Sequence, residues 1–245
     1  MTTVVVGAGP AGLMAAEVLS AAGETVHVYD GMPSAGRKFL LAGRGGLNLT
    51  HSEGLDTFAS RYGARREAVT RWLDTFGPQA VREWALGLGI ATFVGTSGRV
   101  FPQEMKAAPL LRAWLHRLRA HGVQFHMRHR FVGWTDEGAL RLHTPGGEQV
   151  VAADAVVLAL GGASWSRLGS DGAWVPLLEQ RGVQVAELLP ANCGFDVRGG
   201  WSAYFSSRFA GQPFKSVAIR VGEFHRLGEF VATATGVEGS LIYAA

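Results

Sequence analysis

Thr3-Val4-Val5-Val6-Gly7-Ala8-Gly9-Pro10-Ala11-Gly12 opens the chain, and Asp30 follows eighteen residues after the last of these glycines. A β-branched run leads into G-x-G-x-x-G. Residues 11–22 are helix formers and stop at Gly23, and Thr25-Val26-His27-Val28-Tyr29 alternates as a strand does. The pattern is a βαβ unit with an acidic tip. Gly7 allows a tight turn out of the strand, Gly9 has no side chain to hold a phosphate away from the backbone, and Gly12 lets the helix pack closely on the sheet. The helix start offers unpaired N–H groups and a positive dipole end. Asp30 offers acceptors for ribose hydroxyls. The spacing points to a bound dinucleotide. The plainer reading is a βαβ unit that binds nothing, and the acidic residue at the required offset argues against it.

Composition bounds the rest. The 245 residues suffice for one large or two small domains. A net charge of only +3 gives no ground for nucleic-acid or anionic-membrane binding. Cys193 is the sole cysteine, so an intrachain disulfide or redox dithiol is excluded, which suits a reducing cytoplasm. The apolar start lacks a basic n-region and carries Glu17, unlike a secretory signal.

After Asp30 comes Gly36-Arg37-Lys38-Phe39-Leu40-Leu41-Ala42-Gly43-Arg44-Gly45-Gly46-Leu47-Asn48-Leu49-Thr50-His51-Ser52, where glycines and cations alternate as an anion-binding loop requires. Residues 66–121 read as helical, with Val81, Trp84, Ala85 and Leu88 on one face and Leu111, Trp114, Leu115 and Leu118 on another; Ser97 to Pro102 is a turn or short strand between them. Val123, Phe125, Met127 and Phe131 share one phase and predict a single strand passing through His129. Residues 140–144 and 149–151 predict a hairpin, and residues 155–160 a central strand covered on both faces and ending at Gly161-Gly162. Ser170 or Asp171 would cap a helix running to about Arg181. Short strand-like pieces begin near Pro190. The expected domains are therefore 1–189, with a helical excursion at about 53–121, and a small β-rich unit at 190–245.

With Gly7-Ala8-Gly9-Pro10-Ala11-Gly12, Gly45-Gly46-Leu47-Asn48-Leu49-Thr50-His51, Gly98-Arg99-Val100-Phe101-Pro102, Leu158-Ala159-Leu160-Gly161-Gly162-Ala163-Ser164 and Gly169-Ser170-Asp171-Gly172 in view, the chain resembles the BaiN/YhiN-like, or aminoacetone-oxidase-like, bacterial FAD-dependent oxidoreductases. The resemblance implies an α/β fold: a Rossmann-like FAD-binding domain of the glutathione-reductase type with a β-rich insert domain, the chain being truncated within the insert. Many members carry an Arg-Cys-Asn run where this chain's loop reads Gly45-Gly46-Leu47-Asn48. The missing return segment leaves sheet edges that predict aggregation or oligomerisation.

The same resemblance implies a cofactor site. FAD pyrophosphate would sit on Gly7, Ala8, Gly9, Pro10, Ala11 and Gly12, and its ribose on Asp30. Arg37 and Lys38 would meet the phosphates. Gly45, Gly46 and Asn48 would pass near the isoalloxazine, Phe131 and Val132 would flank the adenine, and Ala159 and Gly161 would complete the pocket. No metal site and no catalytic constellation emerge; His51 is the one histidine placed to act as acid or base. The implied activity is a cytoplasmic flavoprotein oxidising or reducing a small organic substrate. With one G-x-G-x-x-G, NAD(P)H would dock directly at the flavin or another donor would serve. Two rivals stay open: an NAD-dependent dehydrogenase, and a catalytically silent nucleotide-binding fragment.

Overall fold

A computed structural model describes residues 1–42 and 46–245. They form two compact units, Met1–Val185 and Ala186–Ala245.

In the first unit β1 (Thr2–Val6), α1 (Pro10–Ala21) and β2 (Thr25–Asp30) make the expected βαβ unit. Pro10 stands in the first turn of α1, where the N–H it lacks would have had no helical partner. Gly23, at φ +86°, takes the left-handed backbone just past the helix end. β6 (Gln124–Met127) extends the sheet beyond β2, and β10 (Ala155–Leu158) beyond β1, all strands parallel in the order β10-β1-β2-β6.

Alternation decides what each face meets. Val5, Val26 and Val28 pack with Leu13 and Ala16 of α1 and with Trp114 and Leu118 of α6 (Ala107–Ala120). Val4, Val6 and Tyr29, on the other face, pack with Phe131, Leu140 and Leu142. Those three belong to an antiparallel sheet of β7 (Arg130–Trp134), β8 (Leu140–Thr144) and β9 (Gly147–Val151). The parallel sheet is thus sandwiched between helices and a second sheet. Each fully buried Val or Leu contributes roughly 1.5–3 kcal/mol. Glu17 is the charged residue of α1: its carboxylate accepts from the Trp84 and Trp114 indoles and pairs with Arg117 at 2.7 Å.

Between β2 and β6 lie α2 (Arg37–Leu41), β3 (Thr50–His51), α3 (Leu55–Ser60), α4 (Arg66–Phe76), α5 (Pro78–Gly87), β4 (Thr92–Val94), β5 (Arg99–Pro102) and then α6. This excursion is only partly helical, because β3, β5 and β4 form a small antiparallel sheet within it.

Three expectations are corrected. The predicted strand through His129 is two strands in different sheets. Arg128 takes φ +63° and turns the chain out of the parallel sheet after Met127; alternation cannot see this, since both strands have a period of two. β10 is outermost among the described strands, and Val156 is exposed rather than covered. The helix expected from residue 170 or 171 to 181 shrinks to α7 (Val175–Glu179), because Asp171 accepts from the Ala173 N–H in a local turn instead of starting a helix.

In the second unit β11 (Phe195–Asp196), α8 (Ala203–Phe209), β12 (Pro213–Val221), β13 (Phe224–Ala232), β14 (Gly236–Glu238) and α9 (Ser240–Tyr243) build a sheet ordered β11-β14-β13-β12. Ser202 caps α8 by accepting from the Phe205 N–H. Phe214 stacks on Phe230 across β12 and β13, ring centroids 5.2 Å apart, and Phe205 and Phe209 of α8 pack on Phe214.

Candidate functional site

The carboxyl ends of β1, β2 and β10 open onto a cleft of about 360 Å³. Parallel α/β sheets bind ligands at this edge because helix N-termini and strand-end loops converge there.

The glycines of the first turn divide their tasks more sharply than the sequence pattern does. Gly7 has φ +109°, and its N–H donates to the Tyr29 carbonyl at 2.7 Å. A Cβ on Gly7 would stand 2.3 Å from the Ala159 carbonyl oxygen, and one on Gly12 would stand 1.8 Å from that of Gly7. These two are glycine because backbone lies against them. Gly9 lines the cleft, and a Cβ there would meet nothing within 4 Å. Its missing side chain leaves open space, as backbone approach by a phosphate requires. The residues present therefore fit the adenosine-diphosphate part of a dinucleotide.

Asp30 accepts from the Ala8 N–H at 2.6 Å and the Met32 N–H at 2.7 Å. Its carboxylate ties the glycine turn to the tip of β2 and keeps further lone pairs for a ligand. Gly36, at φ +69°, donates to the Ala8 carbonyl at 2.9 Å, bringing Arg37 and Lys38 to the rim. Lys38 donates to the Ser164 hydroxyl. Arg37 reaches Ser34 at 3.4 Å, while its Nε is buried with no partner among the described residues. An unsatisfied buried donor costs about 1–3 kcal/mol, and an anion in the cleft would offset it.

Gly7, Ala8, Gly9, Pro10, Ala11, Asp30, Arg37, Lys38, Phe131, Ala159 and Gly161 all line the cleft. Gly12 supports it from below. Val132 does not line it; the register of β7 shifts between Phe131 and Gly133. Gly46 and Asn48 also lie off its lining. A Cβ on Gly46 would meet the Met105 Cε at 2.4 Å, and Leu47 and Leu49 donate to the Met105 and Val100 carbonyls, so this stretch is stitched to the chain around β5. Gly45 falls outside the described residues. His51 is held locally, its Nε2 3.0 Å from the Ser97 carbonyl and its Nδ1 3.2 Å from the Glu53 N–H, and it does not line the cleft.

Other lining residues were not legible as site residues. Arg130 donates to Asp171 across 41 positions of sequence. The Arg130 guanidinium holds the Asp171 carboxyl below the ordinary carboxylate range, against the opposing effect of burial. Tyr29 and His129 also line the cleft, and His126 stacks on Tyr29 at 4.3 Å and lies 3.0 Å from His27 by nitrogen contact. Burial, and then the charges of His27 and His129, push the His126 pKa down from 6.5. Despite these histidines, no group of His, Cys, Asp and Glu among the described residues is arranged to hold a metal. No helix among them is long and apolar enough to cross a membrane.

Comparison with known proteins agrees with this geometry. A 3-dehydro-bile acid delta(4,6)-reductase of Clostridium scindens is 27% identical over 249 residues, covering 98% of this chain and 58% of the relative. A 3-ketosteroid-delta4-(5alpha)-dehydrogenase of Rhodococcus jostii RHA1 superposes with a TM-score of 0.51 at 17% identity, over 65% of this chain and 45% of that one. A flavocytochrome c3 fumarate reductase gives 0.57 at 17% identity, over 73% and 40%. These two likenesses are of fold. The chain spans somewhat over half the length of the curated relative and less than half of each structure. The family described as HI0933-like protein Rossmann domain matches residues 1–244, and the chain belongs to it.

Proposed function

We propose that this chain is the cofactor-binding part of an FAD-dependent oxidoreductase acting on a small organic substrate, of the BaiN/YhiN-like kind within its family. The observation that carries the reading is the open space at Gly9, in a cleft lined by Gly7 and Asp30. The curated relative is named as a reductase, which favours redox chemistry.

The chain's own residues bind and orient. The N–H groups of Gly9, Ala11 and Gly12 face the pyrophosphate, those of Gly7 and Ala8 being committed to Tyr29 and Asp30, with the dipole of α1 behind them. Asp30 accepts from the ribose hydroxyls while it fixes the turn. Arg37 and Lys38 neutralise the phosphates. Phe131 flanks the adenine, and Ala159 and Gly161 complete the pocket. Gly45, Gly46 and Asn48 serve the flavin end. FAD, when bound, supplies the electron-transfer chemistry. NAD(P)H docking directly at the flavin, or another electron donor, supplies the electrons, and the compartment is a reducing cytoplasm, in keeping with the single Cys193.

The test is direct. The purified chain is denatured and any released ligand identified by its visible spectrum and mass. Released FAD, or saturable FAD uptake by the colourless chain, supports the reading. A chain that binds NAD tightly and FAD not at all overturns it.

A further inference from the structure

Residues 105–135 contain no Asp or Glu, yet Lys106, Arg112, Arg117, Arg119, Arg128 and Arg130 all fall among them. The net charge of +3 for the whole chain conceals this concentration. Two of the cations are committed, Arg117 to Glu17 and Arg130 to Asp171. The other four are exposed, and none makes an ion pair among the described residues. Several surface arginines elsewhere sit beside an acid: Arg61 pairs with Glu53, Arg66 with Asp56, Arg71 with Glu67 and Arg141 with Glu148.

The helical period gives this charge a shape. Arg112, His116 and Arg119 stand at i, i+4 and i+7 of α6 and share one ridge about 10 Å long. All three are exposed, while Leu111, Trp114 and Leu118 of the same helix are buried in the core. The Arg119 guanidinium lies 5.4 Å from the Phe125 ring centroid, which holds its charge at the seam between α6 and β6. β6 is the outer strand on that side of the parallel sheet among the described residues, and exposed Arg128 follows its last residue. Neighbouring elements do not compensate. α2 brings Arg37 and Lys38, the carboxylate of Glu17 on α1 is taken by Arg117 and two indoles, and Glu83 on α5 accepts from Gln79.

Like charges on one ridge repel, and a basic face without its own acids is complementary to an acidic one. The ridge is too short for a duplex nucleic acid, whose binders neutralise about 6–10 phosphates. Its straight i, i+4, i+7 spacing matches the same spacing on a second helix. We infer that the outer face of α6, with the adjoining end of β6, is a docking surface for a partner protein that presents an acidic helix. Carboxylates at i, i+4 and i+7 of that helix meet Arg112, His116 and Arg119. The surface is separate from the cleft, so it stands whatever the cleft binds.

The test uses the full chain and three probes: a synthetic helical peptide with Glu along one ridge at i, i+4 and i+7, the same peptide with Gln there, and a short DNA duplex. Backbone amide shifts under titration map where each probe sits. The Glu peptide should shift residues of α6 and β6, and its affinity should fall as ionic strength rises from about 0.01 to about 0.15 M. Arg112→Gln with Arg119→Gln should weaken it about tenfold and leave the melting temperature unchanged. Arg112→Gln alone, weakening it about threefold, serves if the double variant is unstable. Arg220→Gln, in the second unit, should change nothing. The inference falls if the Glu and Gln peptides bind alike or not at all, or if the shifts map away from α6. It falls equally if the stable variant binds as the parent does, or if the duplex binds more tightly than the Glu peptide.

Discussion

Adding one methyl to Gly12 and one to Gly9 separates packing from recognition within a single turn. In Gly12→Ala the new Cβ falls 1.8 Å from the Gly7 carbonyl oxygen and 3.0 Å from its carbon. That oxygen is backbone and cannot rotate away, and Gly7 itself is held by its 2.7 Å bond to Tyr29 and by Ala159 behind it. The helix must therefore lift from the sheet by about 1 Å. Overpacking of this kind costs ~3 kcal/mol, and the better helix propensity of Ala returns ~1 kcal/mol. The net loss of ~2 kcal/mol lowers the ligand-free melting temperature by about 4–8 °C. In Gly9→Ala the Cβ meets nothing and the backbone is extended, at φ −79° and ψ 179°. The ligand-free chain is then unchanged or stabilised by ~0.4–1 kcal/mol, but the methyl stands where the pyrophosphate must approach and FAD affinity falls by at least about tenfold. Thermal melts of the ligand-free variants and equilibrium FAD titrations read both effects. An undisturbed melt for Gly12→Ala, or unaltered FAD binding by Gly9→Ala, would refute the division of labour.

Other expectations follow from the same contacts. Glu17→Ala strands the indole donors of Trp84 and Trp114 and the Arg117 charge, so urea unfolding should show a loss of about 3 kcal/mol; a loss under about 1 kcal/mol would mean that the network is not an anchor. His126 titrates below 6.5 in the fold and near 6.5 unfolded, so the unfolded chain binds the extra proton first. Stability should fall as pH drops from about 6.5 through the lower folded value, and His126→Gln should flatten that slope in melts across pH 5–8. Arg37→Met removes the cation whose Nε waits unpaired, and should weaken FAD binding roughly fivefold and reduce its salt dependence; equal salt slopes for parent and variant would count against a phosphate role.

The βαβ unit was legible because every signal in it is local. The glycine spacing, the β-branched run, the stop at Gly23 and the phase of residues 25–29 all act within thirty residues, and the structure forms those elements where they were expected. The hairpin of β8 and β9 was legible for the same reason. What alternation could not supply was sheet identity. Val123, Phe125, Met127 and Phe131 share one phase, yet a single left-handed residue, Arg128, sends them into two sheets. The same blindness placed β10 in the middle of the sheet, because an apolar run states burial and not position.

The amino-acid sequence alone determined that a dinucleotide turn stands at the N-terminus and which glycines build it. Only the tertiary structure decided that Gly7 and Gly12 answer to neighbouring backbone while Gly9 answers to open space. It alone brought Arg130 to Asp171 and Ser170 beneath Gly161, and it drew Gly46 and Asn48 off the cleft lining toward β5. The physical reason is range. Turn chemistry and hydrophobic period act between neighbours in the chain, whereas a cleft is made by strand ends from distant segments, and which side chains meet there depends on how the sheets are ordered.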